Sequence, residues 1–314
     1  MPKITNEIII DKAHELGFDL IGFAPAEKLT EEVILLKNWL EENRQAGMEY
    51  MERGLDKRED VSLVLPGAKS VISFGVNYYT PYNHENKPDA GKISRYAWGK
   101  DYHFLMWEML EQLEDYLRSL DSSFDAKSYV DTGPVMDRVW AEKAGLGWEG
   151  KNGNVISKKF GSWIFLATMI TNFEFDYNLP AANSCGTCTA CINACPTEAI
   201  ISEGLIDSNK CISYLTIENK GEIPQQFNGK FNGWLFGCDI CQDVCPWNKK
   251  FAKETEKSWF KPLRGTELPL DMFEELSNRQ FNRLFEDSPI KRARAKGMRR
   301  NAEFLKKENV KPKE

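Results

Sequence analysis

The chain has 314 residues, 42% of them hydrophobic and 12% aromatic, which is enough apolar material for a sizeable core and a length that suggests about two domains. Its formal charge of −6 is modest, so the molecule as a whole does not advertise nucleic-acid binding. The N-terminus has no basic n-region, its apolar run from Ile8 to Ile10 is too short for a signal peptide, and no stretch approaches the ~20 apolar residues of a membrane helix. These features point to a cytoplasmic protein with no membrane association.

In chain order, Asn6 to Leu16 reads as an amphipathic helix stopped by Gly17, followed by a strand from Phe18 to Phe23. A second helix is expected from Thr30 to Asn43, with Thr30 as the candidate cap. Ser70 to Tyr78 is β-branched and apolar and reads as a buried strand. From Asp101 to Leu120 the apolar residues recur at helical spacing, giving a long helix with one core face. Lys127–Val130 reads as a strand, Asp137–Ala144 as a helix and Ser162–Ile170 as an apolar strand. This alternation predicts an α/β (α+β) domain over 1–178. Phe173 to Ser184 is polar and irregular and reads as a linker into a cysteine module over 179–250. The region 251–314 is expected to be helical, over Leu270–Phe285 and Lys291–Lys307, with a break at Pro289.

All eight cysteines lie between Cys185 and Cys245, as Cys185-x2-Cys188-x2-Cys191-x3-Cys195-Pro196, then Cys211, then Cys238-x2-Cys241-x3-Cys245-Pro246. The first run is the bacterial ferredoxin ligand pattern for a cubane iron–sulfur cluster, and in its two-cluster version the cysteine before each proline serves the other cluster. One [4Fe-4S] cluster is therefore expected on Cys185, Cys188, Cys191 and Cys245, and a second on Cys195, Cys211, Cys238 and Cys241. Paired Cys-x2-Cys elements also hold structural zinc, but zinc needs neither a third cysteine at the same spacing nor a proline after the fourth. Disulfide frameworks belong to small secreted domains that lack a core. The cysteines thus point to electron transfer.

Gly145-Leu-Gly147-Trp-Glu-Gly150 matches the dinucleotide fingerprint letter for letter. That fingerprint works only between a preceding strand and a following helix, whereas here a helical stretch precedes and β-type residues follow. The context favours a helix-to-strand turn needing positive φ, or a glycine loop approached by another large cofactor. A two-cluster module needs well under half of the chain, so the domain before it is expected to hold the electron acceptor. Flavin, substrate and corrin all remain open on spacing alone.

Val130-Asp131-Thr-Gly-Pro-Val135, Ala141-Glu-Lys-Ala-Gly-Leu-Gly-Trp-Glu-Gly-Lys-Asn152, Cys211-Ile-Ser-Tyr-Leu-Thr-Ile-Glu218 and Gly237-Cys-Asp-Ile-Cys-Gln-Asp-Val-Cys-Pro-Trp-Asn248 resemble the signatures of the epoxyqueuosine reductase family. Arg95-Tyr-Ala-Trp-Gly-Lys-Asp-Tyr-His103 is similar to another of its segments, and the likeness runs to about Asn301. The resemblance implies reduction of the epoxide of epoxyqueuosine, in the wobble base of tRNA, to the alkene of queuosine. It implies base-off cobalamin, reduced one electron at a time through two [4Fe-4S] clusters, and a low-potential donor such as a flavodoxin or ferredoxin. A monomer is expected.

Opening an epoxide leaves an alkoxide that must be protonated, and Asp131, at the end of a predicted strand and matching the family pattern, is the candidate general acid. Its alternative role is to cap a helix starting near Pro134. By the same resemblance, Lys151, Asn152 and Asn154 would line the glycine loop against the cofactor, and Ser213 and Asp239 would face corrin or substrate. Arg58 and Arg95 would bind corrin side chains or phosphate. From Ile290 to Glu314 ten Lys or Arg stand against three acids, so Lys291, Arg292, Arg294, Arg299 and Arg300 are candidate RNA contacts. Longer family members continue into a helical-repeat region, which would leave more of the tRNA grip to this tail and the cluster module. A reductive dehalogenase acting on a small halide, and a ferredoxin-like electron carrier, are the competing readings.

Overall fold

The structure is a computed structural model that describes residues 4–309. Helix α1 (Asn6–Leu16) is capped by Thr5 and ends at Gly17 in the left-handed conformation, φ 110°. Strand β1 (Leu20–Pro25) follows, then α2 (Thr30–Glu41), α3 (Leu55–Glu59), β2 (Ser70–Asn77), β3 (Ala90–Ile93), α4 (Tyr102–Leu120), β4 (Ala126–Tyr129) and α5 (Asp137–Lys143). The hairpin β5 (Trp148–Glu149) and β6 (Val155–Ile156) leads into β7 (Ile164–Thr171). Thr30 is the first helical residue of α2 rather than its cap, its hydroxyl donating instead to Glu59 at 3.2 Å.

The elements expected from the pattern are present, and the sheet that unites them has the order β1-β2-β7-β4 with every neighbour antiparallel. α1 and α4 cover one face, where Ile72, Phe74 and Val76 meet Ile9, Met106, Leu110 and Leu113. α5 and Val61–Leu65 cover the other, where Val71 and Ile170 meet Trp140 and Ala141. Coverage on both faces explains why β2 is buried along its whole length, including Ser70, Ser73 and Asn77, and shows no strict apolar–polar alternation. The segment between Phe173 and Ser184 is irregular as expected, and Asn178 pins it to the edge strand by accepting the Phe23 N–H at 2.8 Å.

The second half carries α6 (Ala190–Ala194), β8 (Ile200–Ser202), β9 (Leu205–Ile206), α7 (Ile212–Ile217), β10 (Trp234–Phe236), α8 (Ile240–Asp243), α9 (Pro246–Phe251) and β11 (Glu267–Pro269). The helix expected over Leu270–Phe285 is broken into α10 (Met272–Glu275) and α11 (Asn278–Leu284), because Ser277 and Gln280 form a capping box that starts a new helix. Pro289–Ala293 is a 3-10 turn before α12 (Arg294–Asn309). β3 pairs parallel with β10 and antiparallel with β11, so four residues of the N-terminal half nucleate a sheet with the cysteine module and the C-terminal region. Ile93, Ala97 and Trp98 accordingly belong to the same core as Phe236, Phe273, Phe285 and Met298. Among the described residues, no helix is long and apolar enough to cross a membrane.

Gly22 on β1 faces the end of α5, and a Cβ there would meet the Ala144 carbonyl oxygen at 2.0 Å and Leu146 Cδ1 at 2.6 Å. Neither backbone can yield, since one is sheet and the other ends a packed helix. Gly22→Ala is expected to lower unfolding free energy by about 1–3 kcal/mol through overpacking. Denaturant midpoints of the two proteins measure this, and equal midpoints would refute it.

Candidate active site

The two cysteine runs fold as short ligand helices, α6 and α8, packed against each other. Cys245 caps α9 with Pro246 in its first turn, so its thiol swings back toward the first run. The structure brings Cys185, Cys188, Cys191 and Cys245 around one cavity, closed by Lys151, Asn152, Ile156 and Trp247. In the other set, burial pushes the thiols of Cys211, Cys238 and Cys241 up, and each is raised further by its neighbours: Cys211 by Cys195, Cys238 by Cys241, and Cys241 by Cys211. Bare thiolates crowded in this way are costly, and bound iron removes the cost.

Donors aim at several of the sulfurs. Ala199 N–H donates to Cys195 Sγ at 3.3 Å and Trp148 Nε1–H to Cys185 Sγ at 3.4 Å. The amides of Ser213 and Tyr214 act on Cys211, and that of Ile240 on Cys238. Such donors stabilise thiolate and tune a cluster's potential. Among the described residues, no three His, Cys, Asp or Glu side chains converge tightly enough to grip a single ion. Thiols spread around a cavity suit a cluster instead, in which each thiolate binds its own iron. Cys188 is exposed, so the first set reaches the surface.

Asp131 stands in the turn between β4 and α5, at φ 53°, a left-handed conformation that aspartate tolerates better than most residues. Its Oδ2 accepts a hydrogen bond from the Tyr102 hydroxyl at 3.1 Å. Tyr102 lies in the first turn of α4, its ring stacked between His103 at 4.1 Å and Phe165 at 4.0 Å. Asp101 caps that helix and pairs with His103 Nδ1 at 2.7 Å. The tip of Asp131 is reached by solvent, yet protein walls strip most of its water, and this desolvation pushes its pKa up against the pull of Tyr102, His103 and Arg292. Six residues on, burial pushes Asp137 up to about 7, opposed by the Thr168 hydroxyl and reinforced by the charge of Asp131. Thr168 Oγ1 donates to Asp137 Oδ1 at 2.6 Å.

Three parts of the chain wall this cleft. The N-terminal half supplies Tyr50, Tyr96 and Tyr102, all raised by burial, Tyr50 to about 12. The cysteine module supplies Glu218 at the end of α7, the helix that begins next to Cys211. The C-terminal region supplies Arg292, which donates to both carboxylate oxygens of Glu218 at 2.8 and 3.2 Å and lies 5.9 Å over the Tyr50 ring. Tyr102 and Glu218 sit inside motifs quoted above but were not singled out; Asp137 and Tyr50 carry no signal of their own in the sequence.

The other expected contacts sort differently. Arg58 is buried beside Asp137, donates to the Val135 carbonyl at 3.0 Å and keeps a buried Nε–H without a protein acceptor. Arg95 is held in place, its guanidinium enclosed by the rings of Tyr79, Trp98 and Trp163 at 4.3–5.1 Å and donating to the carbonyls of Thr80 and Tyr82, while its Nε–H, like that of Arg58, is buried without a protein acceptor. Asp239 braces the neighbouring segment through its side chain. It is buried, pushed up to about 6 by desolvation, and accepts from the Ser94 hydroxyl and, at 2.7 Å, from the Arg95 N–H. Lys151 and Asn152 serve the cysteine cavity, Lys151 paired with Glu203 at 2.6 Å and Asn152 donating to the Cys241 carbonyl at 3.4 Å. Asn154 closes the β5–β6 hairpin, its carbonyl accepting the Gly150 N–H, and half-buried Ser213 sits in the first turn of α7. Gly145 at φ 76° ends α5 and Gly153 at φ 73° turns the hairpin, the helix-to-strand geometry expected in place of a dinucleotide loop.

Arg299 and Arg300 correct the reading of the basic helix. α12 packs into the second core, and these two arginines donate to main-chain carbonyls at its margin: Phe273 and Leu276 for Arg299, Leu215, Asn219 and Gly221 for Arg300. They are not available to RNA phosphate. Lys291 and Arg294 are exposed, while Lys311 and Lys313 lie outside the described residues.

Two family models match the chain, "Epoxyqueuosine reductase QueG, DUF1730" over residues 58–132 and "4Fe-4S double cluster binding domain" over 184–248. The epoxyqueuosine reductase of Cyclobacterium marinum is 45% identical, covering 96% of this chain and 97% of that protein; that of Cellulophaga algicola is 44% identical over 96% and 98%. The crystal structure of an epoxyqueuosine reductase with an epoxyqueuosine-modified tRNA-Tyr stem loop matches at a TM-score of 0.89 and 34% identity, covering 95% of this chain and 80% of that one. A Bacillus subtilis epoxyqueuosine reductase, solved with its aspartate catalytic loop swung out of the active site, matches at 0.89 and 33%, again over 95% and 80%. The chain belongs to the epoxyqueuosine reductase family of oxidoreductases and carries a double [4Fe-4S] cluster module.

Proposed function

We propose that this chain reduces the epoxide of epoxyqueuosine, carried on tRNA, to the alkene of queuosine, with Asp131 as the proton donor. The observation that carries the reading is the state of Asp131: a desolvated carboxyl, raised in pKa, held by Tyr102 at the mouth of a cleft whose far wall is the helix of Cys211. The oxygen released from an epoxide needs a proton as the C–O bond breaks, and a carboxyl whose pKa is raised is better able to give it. Tyr102 donates to Oδ2, which leaves Oδ1 to carry the proton.

A corrin bound beside this cleft would supply the electrons for opening the epoxide. The cleft fits such an amide-rich group: Arg58 has a buried donor without an acceptor, and Ser213 and Asn154 are half-buried on the cluster side. Those three side chains are the ones that would hold it. Electrons would enter from a low-potential flavodoxin or ferredoxin at the first cysteine set, which reaches the surface at Cys188. They would pass to the second set, whose Cys241 lies within electrostatic range of Cys191. The similarity to epoxyqueuosine reductases over nearly their whole length favours this over the dehalogenase and electron-carrier readings.

Asp131→Asn should retain the cluster absorption and lose turnover by at least about 100-fold, the lower end of what a positioned acid contributes. Near-wild-type rates on epoxyqueuosine-containing tRNA would remove Asp131 from the mechanism. In the wild type, turnover should fall as pH rises through the raised pKa of Asp131, since the acid form is required. Asp137 binds its proton more tightly folded than unfolded. Its contribution to stability is therefore complete below the ordinary carboxylate pKa and is lost as pH rises through about 7. Urea midpoints should decline across that window in the wild type and decline less in Asp137→Asn, whose amide oxygen can still accept from Thr168; parallel pH profiles would contradict the assignment.

A further inference from the structure

Helix α4 changes character along its outer face. From Glu108 onward the exposed positions are polar or charged, Glu108, Glu111, Gln112 and Asp115, as expected opposite a packed face. The first turns instead expose Phe104 and Trp107, 50% and 43% accessible, one turn apart and edge to face at 6.2 Å. The Trp107 ring lies 5.3 Å from His103, His103 stacks on Tyr102 at 4.1 Å, and Tyr102 donates to Asp131. A continuous run of rings therefore leads from open solvent to the reactive carboxyl. Cations flank the same end of the helix: exposed Lys291 acts electrostatically on its cap, Asp101, and Lys100 immediately precedes that cap.

We propose that Phe104 and Trp107 form a stacking platform for unpaired bases of the anticodon loop beside the nucleotide delivered to Asp131. The proposal rests on the tRNA reading given above. A modified base can reach Asp131 only if it leaves the stack of its loop, and its neighbours then lose a stacking partner. Aromatic side chains replace that partner in single-stranded RNA recognition and tolerate any base, while nearby cations take the phosphates. The acidic face that begins at Glu108 ends the platform, which leaves room for one or two bases. Scattered exposed aromatics need no explanation, but two in contact with each other and continuous with the site do.

The test is binding of an epoxyqueuosine-modified anticodon stem loop by the full chain with its clusters, compared among wild type, Phe104→Ala, Trp107→Ala and Trp107→Phe. Both positions are solvent-exposed, so the fold is expected to persist, and circular dichroism checks it. Each alanine variant should weaken the dissociation constant about tenfold, the usual loss per stacked base, while Trp107→Phe keeps most of the affinity. The single-turnover rate at saturating stem loop should stay at the wild-type value. Unchanged affinity in both alanine variants, or a reduced saturating rate at unchanged affinity, would overturn the platform while leaving the tRNA reading intact. A wild-type protein that fails to bind the stem loop would overturn both.

Discussion

The geometry of the site depends on a four-residue strand. β3 is held between β10 of the cysteine module and β11 of the C-terminal region, and its continuation, Ser94–Arg95, is fastened to Asp239 between two cysteines of the second set. Through this fastening the carboxyl chemistry of one half is set in register with the redox chemistry of the other. Asp239 suits the task because a buried carboxylate with two donors in place is rigid, whereas removing either donor would leave a desolvated group unsatisfied. Arg95 completes the joint from the other side, its side chain fixed among three aromatic rings while its backbone N–H meets Asp239.

A second theme is controlled loss of water. The acids of the cleft and the thiols of the second cysteine set are pushed up by the same cause, desolvation, and in both places the charged form is difficult to sustain alone. In the cysteine module the difficulty is met by iron and by N–H donors on sulfur. In the cleft the raised pKa values of Asp131 and Asp137 favour the protonated form, the condition the proposed acid would need. Tyr96 and Tyr102 extend the dry region between them, and the Arg292–Glu218 pair closes it on the solvent side.

What could be read in the sequence was local. The cysteine run at short spacing, with a proline after its fourth member, announces a ferredoxin-like module, and the helices and strands follow from apolar periodicity. The antiparallel order β1-β2-β7-β4 was not legible, since alternation of helix and strand does not say which strands pair. Charged side chains were the least legible. Arg299 and Arg300 read as part of a basic face, but their partners are main-chain carbonyls brought up by the fold, up to 85 residues away in sequence. The protein partners of Arg95 and Asp239 were not legible either, because motif position fixes location more firmly than it fixes what a side chain touches. Tyr50 and Glu218 meet across a tertiary junction that no pattern in the sequence encodes.

The exposure of Cys188 has a consequence for how this molecule ages in air. Cys188 is the ligand of its set that dioxygen and peroxide would meet first, whereas Cys245 of the same set is buried. Oxidative decay therefore begins at the outer cluster and works inward, and the earliest lesion is a broken supply line, with the acid and its cleft still whole. Such a population folds normally and binds its substrate while turning nothing over, so the iron content of the outer set, rather than the amount of folded chain, sets the specific activity of a preparation.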